Sequence, residues 1–149
     1  VAPAIAAQPH GVLVGYGRVG KTVAEGLKGR MPLVVIEDEG ERADELRAGG
    51  FEVIQGNAVR PEVLLQAGLA EATHLFVAVP SPFEAARIIE QARAANPAVK
   101  IIARAYTDND VDLLTQMGAT HALIGEQEIA RGMLALAPRR APPPAATAH

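Results

Sequence analysis

Three glycines, a lysine–threonine pair and one carboxylate carry most of the chemistry legible in this sequence. Gly15-Tyr16-Gly17-Arg18-Val19-Gly20 follows the short apolar run Val12–Val14 and opens a stretch with helical spacing. In that setting Gly15 permits a tight strand-to-helix turn, Gly17 lets the backbone approach a pyrophosphate, and Gly20 allows close helix–strand packing. The free N–H groups of the helix start, together with the helix dipole, then favour a phosphate. Glu37 closes the next apolar run, Leu33–Ile36, 20 residues beyond Gly17. A carboxylate there accepts both hydroxyls of a ribose and repels a 2′-phosphate. Asp38 beside it deepens the repulsion, so NADP is disfavoured.

The same loop also satisfies G-x-x-x-x-G-K-[ST] through Lys21 and Thr22. On that reading Lys21 reaches β- and γ-phosphates and the Thr22 hydroxyl binds magnesium. Three observations weigh against it. The dinucleotide loop already explains the glycine spacing, the run Leu75–Val79 leads into Pro80-Ser81 rather than a magnesium-holding Asp, and no water-activating Asp or Gln lies near those strand ends. Lys21 then reads as a solvated residue of the first helical turns. Ser81, the only serine, has no G-x-S-x-G elbow and reads as a cap for a helix beginning near Pro82. His74 and His121 fall at strand starts, on the edge away from the crevice, without neighbouring acids or histidines. Neither a metal site nor a catalytic residue is expected.

These residues need elements to position them, and the chain supplies an alternating series. Apolar runs stand at Val12–Val14, Leu33–Ile36, Phe51–Ile54, Leu75–Val79, Val99–Ala103 and His121–Ile124. Helical spacing is expected over Val19–Lys28, Gly40–Arg47, Pro61–Ala67, Pro82–Ala95, Asp108–Met117 and Glu126–Leu136. Gly49-Gly50, Gly68 and Gly118 sit at helix C-termini, while Pro61 and Pro82 sit in first turns. The early strands are apolar throughout, as when helices cover both faces of a sheet. The expectation is an α/β fold of the Rossmann type, a doubly wound, mostly parallel sheet of about six strands. Residues 10–137 form that single domain, 1–9 a linker and 138–149 a disordered Pro/Ala-rich tail. Six β/α units leave no room for a second, substrate-binding domain.

Composition narrows the partners. Aromatics make up 3% of the chain and the net charge is −3, which offers neither a stacking platform nor a basic footprint for nucleic acid. Cysteine is absent, so disulfides and thiol chemistry are excluded. No apolar run approaches the roughly 20 residues a membrane helix needs. The chain opens on Val1 rather than Met, which reads as a processed chain or a piece of a longer one.

Five stretches together carry a family likeness: Gly15–Gly20, Leu33–Glu37, Gly56-Asn57-Ala58, Ile101-Ile102-Ala103-Arg104-Ala105 and Gly125-Glu126-Gln127-Glu128-Ile129-Ala130. From about His10 to Ala137 the chain resembles the RCK or TrkA-N regulatory domain of potassium channels and transporters. It is particularly similar to the cytosolic C-terminal domain of Kef/YbaL-type monovalent cation:proton antiporters of the inner membrane. The resemblance implies AMP, NAD(H) or another adenine nucleotide as a regulatory ligand. Gly17 and Arg18 would meet the phosphate, Glu37 the ribose and Asn57-Ala58 the adenine, with Glu84 and Arg104 approaching from the fourth and fifth strands. Glu84 also reads as a first-turn acid and Arg104 as an ordinary ion-pair residue. Pro80 and Pro82 stiffen the crevice loop, a departure that bears on how it adapts to a long dinucleotide. The likeness further implies a homodimer, built on apolar positions around Val111, Leu114 and Met117 or Leu134, that conveys ligand state to a membrane part. A small NAD-dependent oxidoreductase and a standalone dimerisation module are the alternatives.

Overall fold

The computed structural model describes residues 4–140. Its first two strands, β1 (His10–Val14) and β2 (Leu33–Glu37), are buried at every position. Their apolar side chains leave both faces of the sheet, and each face acquires its own core. On one face Leu13, Leu33 and Val35 pack with Ala24 and Leu27 of α1 (Arg18–Leu27) and Ala43 and Leu46 of α2 (Gly40–Ala48). On the other, Val12, Val34 and Ile36 meet the inward residues of α3 (Pro61–Gln66), α4 (Pro82–Ala95) and α5 (Asp108–Met117).

Four further strands complete the sheet: β3 (Glu52–Gln55), β4 (Ala72–Val77), β5 (Lys100–Ala105) and β6 (His121–Ile124). All pairings are parallel and the order is β3-β2-β1-β4-β5-β6. The order reverses between β1 and β4, where Val12 pairs with Val34 on one side and Leu75 on the other. Crevices of doubly wound sheets open at such a switch point, beyond the carboxyl ends of the strands.

The sheet is not covered equally. In β4, β5 and β6 the residues Leu75, Val77, Ile101, Ala103, Ala105 and Ile124 are buried beneath α4 and α5. The alternate positions, His74, Phe76, Ile102 and Arg104, are only half-buried, and Leu123 is exposed. The last helix, α6 (Gly125–Leu136), follows β6 without a loop and buries none of its residues. Ile129, Met133, Leu134 and Leu136 are all exposed. A parallel sheet ordinarily hides both faces, so this half is left open.

Several boundaries differ from the sequence-based expectations. β4 runs over Ala72–Val77, not Leu75–Val79, because Thr73 and His74 break its apolar pattern on the open side. β1 begins at His10, whose buried ring lies against the carbonyls of Gln8 and Ala67. Arg104 lies within β5 rather than after it. Ala4–Ala7, in the stretch read as a linker, form a single 3-10 turn, and Ala6 is buried against Gly68. Leu114 is fully buried in this chain's own core, and Val111 and Met117 pack against the same core. Leu114 is therefore closed to a partner, while Val111 and Met117 are partly exposed and Leu134 is exposed. The tail expected over 138–149 begins as irregular chain at 138–140 and otherwise lies outside the described residues.

Candidate functional site

The turn from β1 into α1 is built on close backbone contact. Gly15 has φ +94°, and a Cβ there would lie 3.2 Å from the backbone of Ala78 and Val79. At Gly20 a Cβ would overlap the carbonyl oxygen of Gly15, so that turn closes only around a glycine. Gly17 is different. A Cβ added to it meets nothing within 4 Å, and the backbone is extended. Its bareness serves nothing inside the fold, as expected where a ligand must approach the main chain. No side chain caps α1. By contrast, Ser81 Oγ accepts from Glu84 N–H at the start of α4, and Thr107 with Asp110 forms a capping box on α5. The first-turn N–H groups of α1 thus have no capping side chain, and the helix starts from Gly17 at the cleft wall.

Beyond this loop opens a cleft of about 410 Å³ lined by Gly15, Tyr16, Gly17, Glu37, Asp38, Arg42, Ala78, Val79, Pro80, Glu84 and Arg104. That volume lies within the range of small-molecule sites. A smaller recess shares several of these walls and adds Gly56, Asn57 and Ala58. Glu37, 4% exposed, sits at the junction. Tyr16 N–H donates to its Oε2 and Glu39 N–H to its Oε1, each at 3.2 Å. The carboxylate therefore braces the glycine loop, and each oxygen keeps lone-pair capacity for a ribose hydroxyl. Burial pushes its pKa above the ordinary carboxylate value, opposed by the Glu39 N–H and reinforced by Asp38. Asn57 Oδ1 accepts from Val59 N–H at 3.0 Å, fixing the turn that carries the buried Ala58 to the recess.

The structure thus brings Gly15, Tyr16, Gly17, Glu37, Asp38, Asn57, Ala58, Glu84 and Arg104 around one crevice. Three candidates stand apart from its walls. Gly20 is a packing residue, Arg18 projects from the first turn of α1 into solvent, and Val19 lines a separate apolar groove on the open sheet face. Lys21 and Thr22 also lie outside the cleft, and the Thr22 hydroxyl donates to the Arg18 carbonyl at 3.0 Å. A magnesium-binding role for that hydroxyl is left without support. Ser81 caps α4, as its sequence position suggested. Arg42 is an addition, reaching the cleft from α2 while pairing with Glu39 at 3.3 Å. Its place one helical turn after Glu37-Asp38 was the available signal, within the charged run Glu39–Arg47. Among the described residues no cluster of three or more histidines or acids is placed to hold a metal. The arrangement is suited to binding a ribose and phosphates.

The TrkA-N domain model matches residues 12–125. Over 128 residues the chain is 46% identical to the cation/proton antiporter YbaL of Escherichia coli (strain K12), covering 85% of this chain and 23% of that protein. The chain thus spans about a quarter of that relative's length. The crystal structure of the TrkA-N domain of the Escherichia coli inner membrane protein ybaL superposes with a TM-score of 0.80 at 46% identity, covering 85% of this chain and 95% of that one. The Shewanella denitrificans Kef CTD in its AMP-bound form gives 0.70 at 27% identity, covering 85% and 78%.

Proposed function

The chain belongs to the TrkA-N domain family, and from that premise we propose that it is the adenine-nucleotide-sensing regulatory domain of a monovalent cation:proton antiporter. One observation carries the reading. The bare Gly17 backbone and the buried Glu37 carboxylate face a single cleft at the β1/β4 switch point, one suited to phosphate and the other to ribose. The AMP held by the similar Kef domain supports a mononucleotide or NAD(H) as the ligand. Gly15, Tyr16 and Gly17 bind phosphate together with the N–H groups of Arg18, Val19 and Gly20. Glu37 and Asp38 take the ribose, Asn57 and Ala58 the base, and Glu84 and Arg104 close the far wall.

The domain works at the cytosolic face of a membrane partner, on the same or an associated chain, and no helix among the described residues is long and apolar enough to cross a bilayer itself. A second copy of the chain covers the open half of the sheet with α6. A ligand can signal only through different affinities for two arrangements, and a dimer provides such arrangements. On this reading the nucleotide leaves unchanged, its contacts with Glu37, Asp38, Asn57, Glu84 and Arg104 serving to bind it.

The test is a melting series with AMP, ADP, NAD and NADH, followed by chromatography of the recovered ligand. A hundredfold excess over Kd should stabilise the fold by about 2.7 kcal/mol. A clear shift with intact ligand is the expected result. Absence of any shift would remove the nucleotide, and catalytic turnover would make the protein an enzyme.

A further inference from the structure

Among the described residues, Arg104 is the one charged residue that the nucleotide cleft shares with the open half of the sheet. It lines the nucleotide cleft, and it also lines an apolar groove of about 410 Å³ on the open sheet face. Val19 and Val23 of α1, Phe76, Ile102 and Leu123 form much of that groove. The Arg104 guanidinium lies over the Tyr106 ring, 4.8 Å from its centroid, and no ion pair among the described residues includes it. The cleft side carries three acids, Glu37, Asp38 and Glu84, none of them in an ion pair with Arg104, and the groove side carries Glu128, which pairs with Arg131 at 3.7 Å.

We infer that Arg104 is the coupling residue between nucleotide and dimer, and that it makes the coupling positive. The inference rests on the reading above, in which α6 of a second copy covers the open face. Closing an apolar groove over a cation without a counter-ion is costly, and the cost falls once a negative group pairs with it. A nucleotide phosphate in the cleft supplies that charge from the other side of the same side chain. Nucleotide therefore tightens the dimer, and by linkage the dimer tightens nucleotide by the same factor. Without nucleotide the guanidinium rests on Tyr106, and the groove keeps a charged wall.

The experiment measures the dimer Kd of the full chain by sedimentation, without ligand and at saturating AMP, for wild type, Arg104→Gln and Arg104→Lys. For wild type, AMP should lower the dimer Kd by about tenfold, within the usual span of coupling between sites. Arg104→Gln should bind AMP more weakly, dimerise without ligand at least as well as wild type, and show less than about a twofold response to saturating AMP. Arg104→Lys, which keeps the charge, should retain a response of the same sign. If Arg104→Gln responds like wild type, or if wild type dimerises and binds AMP without any response, the inference is overturned. A wild type that binds no AMP or forms no dimer overturns the underlying reading as well, and the two failures are distinguished by the wild-type data alone.

Discussion

Among the loop glycines, position matters more than residue type. Gly17 faces open space with an extended backbone that any residue adopts, whereas Gly20 touches the Gly15 carbonyl. Gly17→Val should leave stability within about 0.5 kcal/mol of wild type, as for an ordinary surface change, and abolish the nucleotide-induced melting shift. Gly20→Ala should destabilise the fold itself by about 3 kcal/mol, the upper part of the range for overpacking. Denaturant titrations with and without AMP separate the two. Glu37 sits between these extremes, since it braces the loop and offers oxygens to a ribose. Its raised pKa means that the folded state takes up this proton before the unfolded state does. The stability linked to Glu37 is therefore fully present below the unfolded pKa and lost as pH rises through the raised folded value. Ribose binding runs the other way, because hydroxyls donate to the ionised form. NAD affinity should fall as pH drops through the raised pKa, and Glu37→Gln should flatten that profile while weakening binding by about 1.5–3 kcal/mol, the scale of charge-assisted hydrogen bonds. Calorimetric titrations of both proteins across the acid range check it, and NAD is the ligand to use because its pyrophosphate does not titrate there.

At the scale of elements, one arginine holds together the part of the fold on which Arg104 depends. Arg93, near the end of α4, donates to the Gly118 carbonyl from Nε and Nη2, and to the Pro97 and Val99 carbonyls from Nη1. It joins the α4–β5 loop to the α5–β6 turn. Arg93→Ala strands those carbonyls and should cost about 2–3 kcal/mol, the range for hydrogen bonds to a charged group, read from chemical denaturation. Nothing in the sequence pattern singles this residue out, because a capping role for a long side chain depends on where two distant loops meet. The same physics sorts what was legible from what was not. β1 and β2 are covered on both faces and appear as unbroken apolar runs, so their places and the glycine loop between them follow from the sequence. β4 is covered on one face only, and Thr73 and His74 on its open side hid its start. Of the site, the glycine loop and Glu37 were readable from spacing, whereas Asn57, Ala58, Glu84 and Arg104 were expected only from the family likeness. Arg42 reaches the cleft from the first turns of α2, and Val19 turns toward the groove instead, placements fixed by helix rotation that a motif does not record.

For the whole molecule, the open half of the sheet and the unsupported α6 belong to one question. A 12-residue helix with no fully buried residue gains little packing energy from its own domain, touching it mainly through Gly125, Glu128 and Ile129 at the groove edge, and isolated helices of that length are marginal in water. Ile129 and Met133 stand one turn apart with Leu136 following, 62%, 68% and 89% exposed, and together form an apolar stripe. On the same chain Phe76, Ile102 and Leu123 wait uncovered in the groove. Helix and groove are complementary in character, and two copies related by a twofold axis would satisfy both at once. The full chain should therefore sediment as a dimer at micromolar concentration. Met133→Asp places a charge in the middle of the stripe and should raise the dimer Kd by at least a hundredfold, about 2.7 kcal/mol, through the cost of burying an unpaired carboxylate. Since α6 contributes nothing to the core, the variant should melt as a monomer in a single transition, with little of its helical signal lost outside α6. A Met133→Asp protein that still sediments as a dimer would mean that the surface lies elsewhere, and the exposed Leu65 beside α4 would be the next place to introduce a charge.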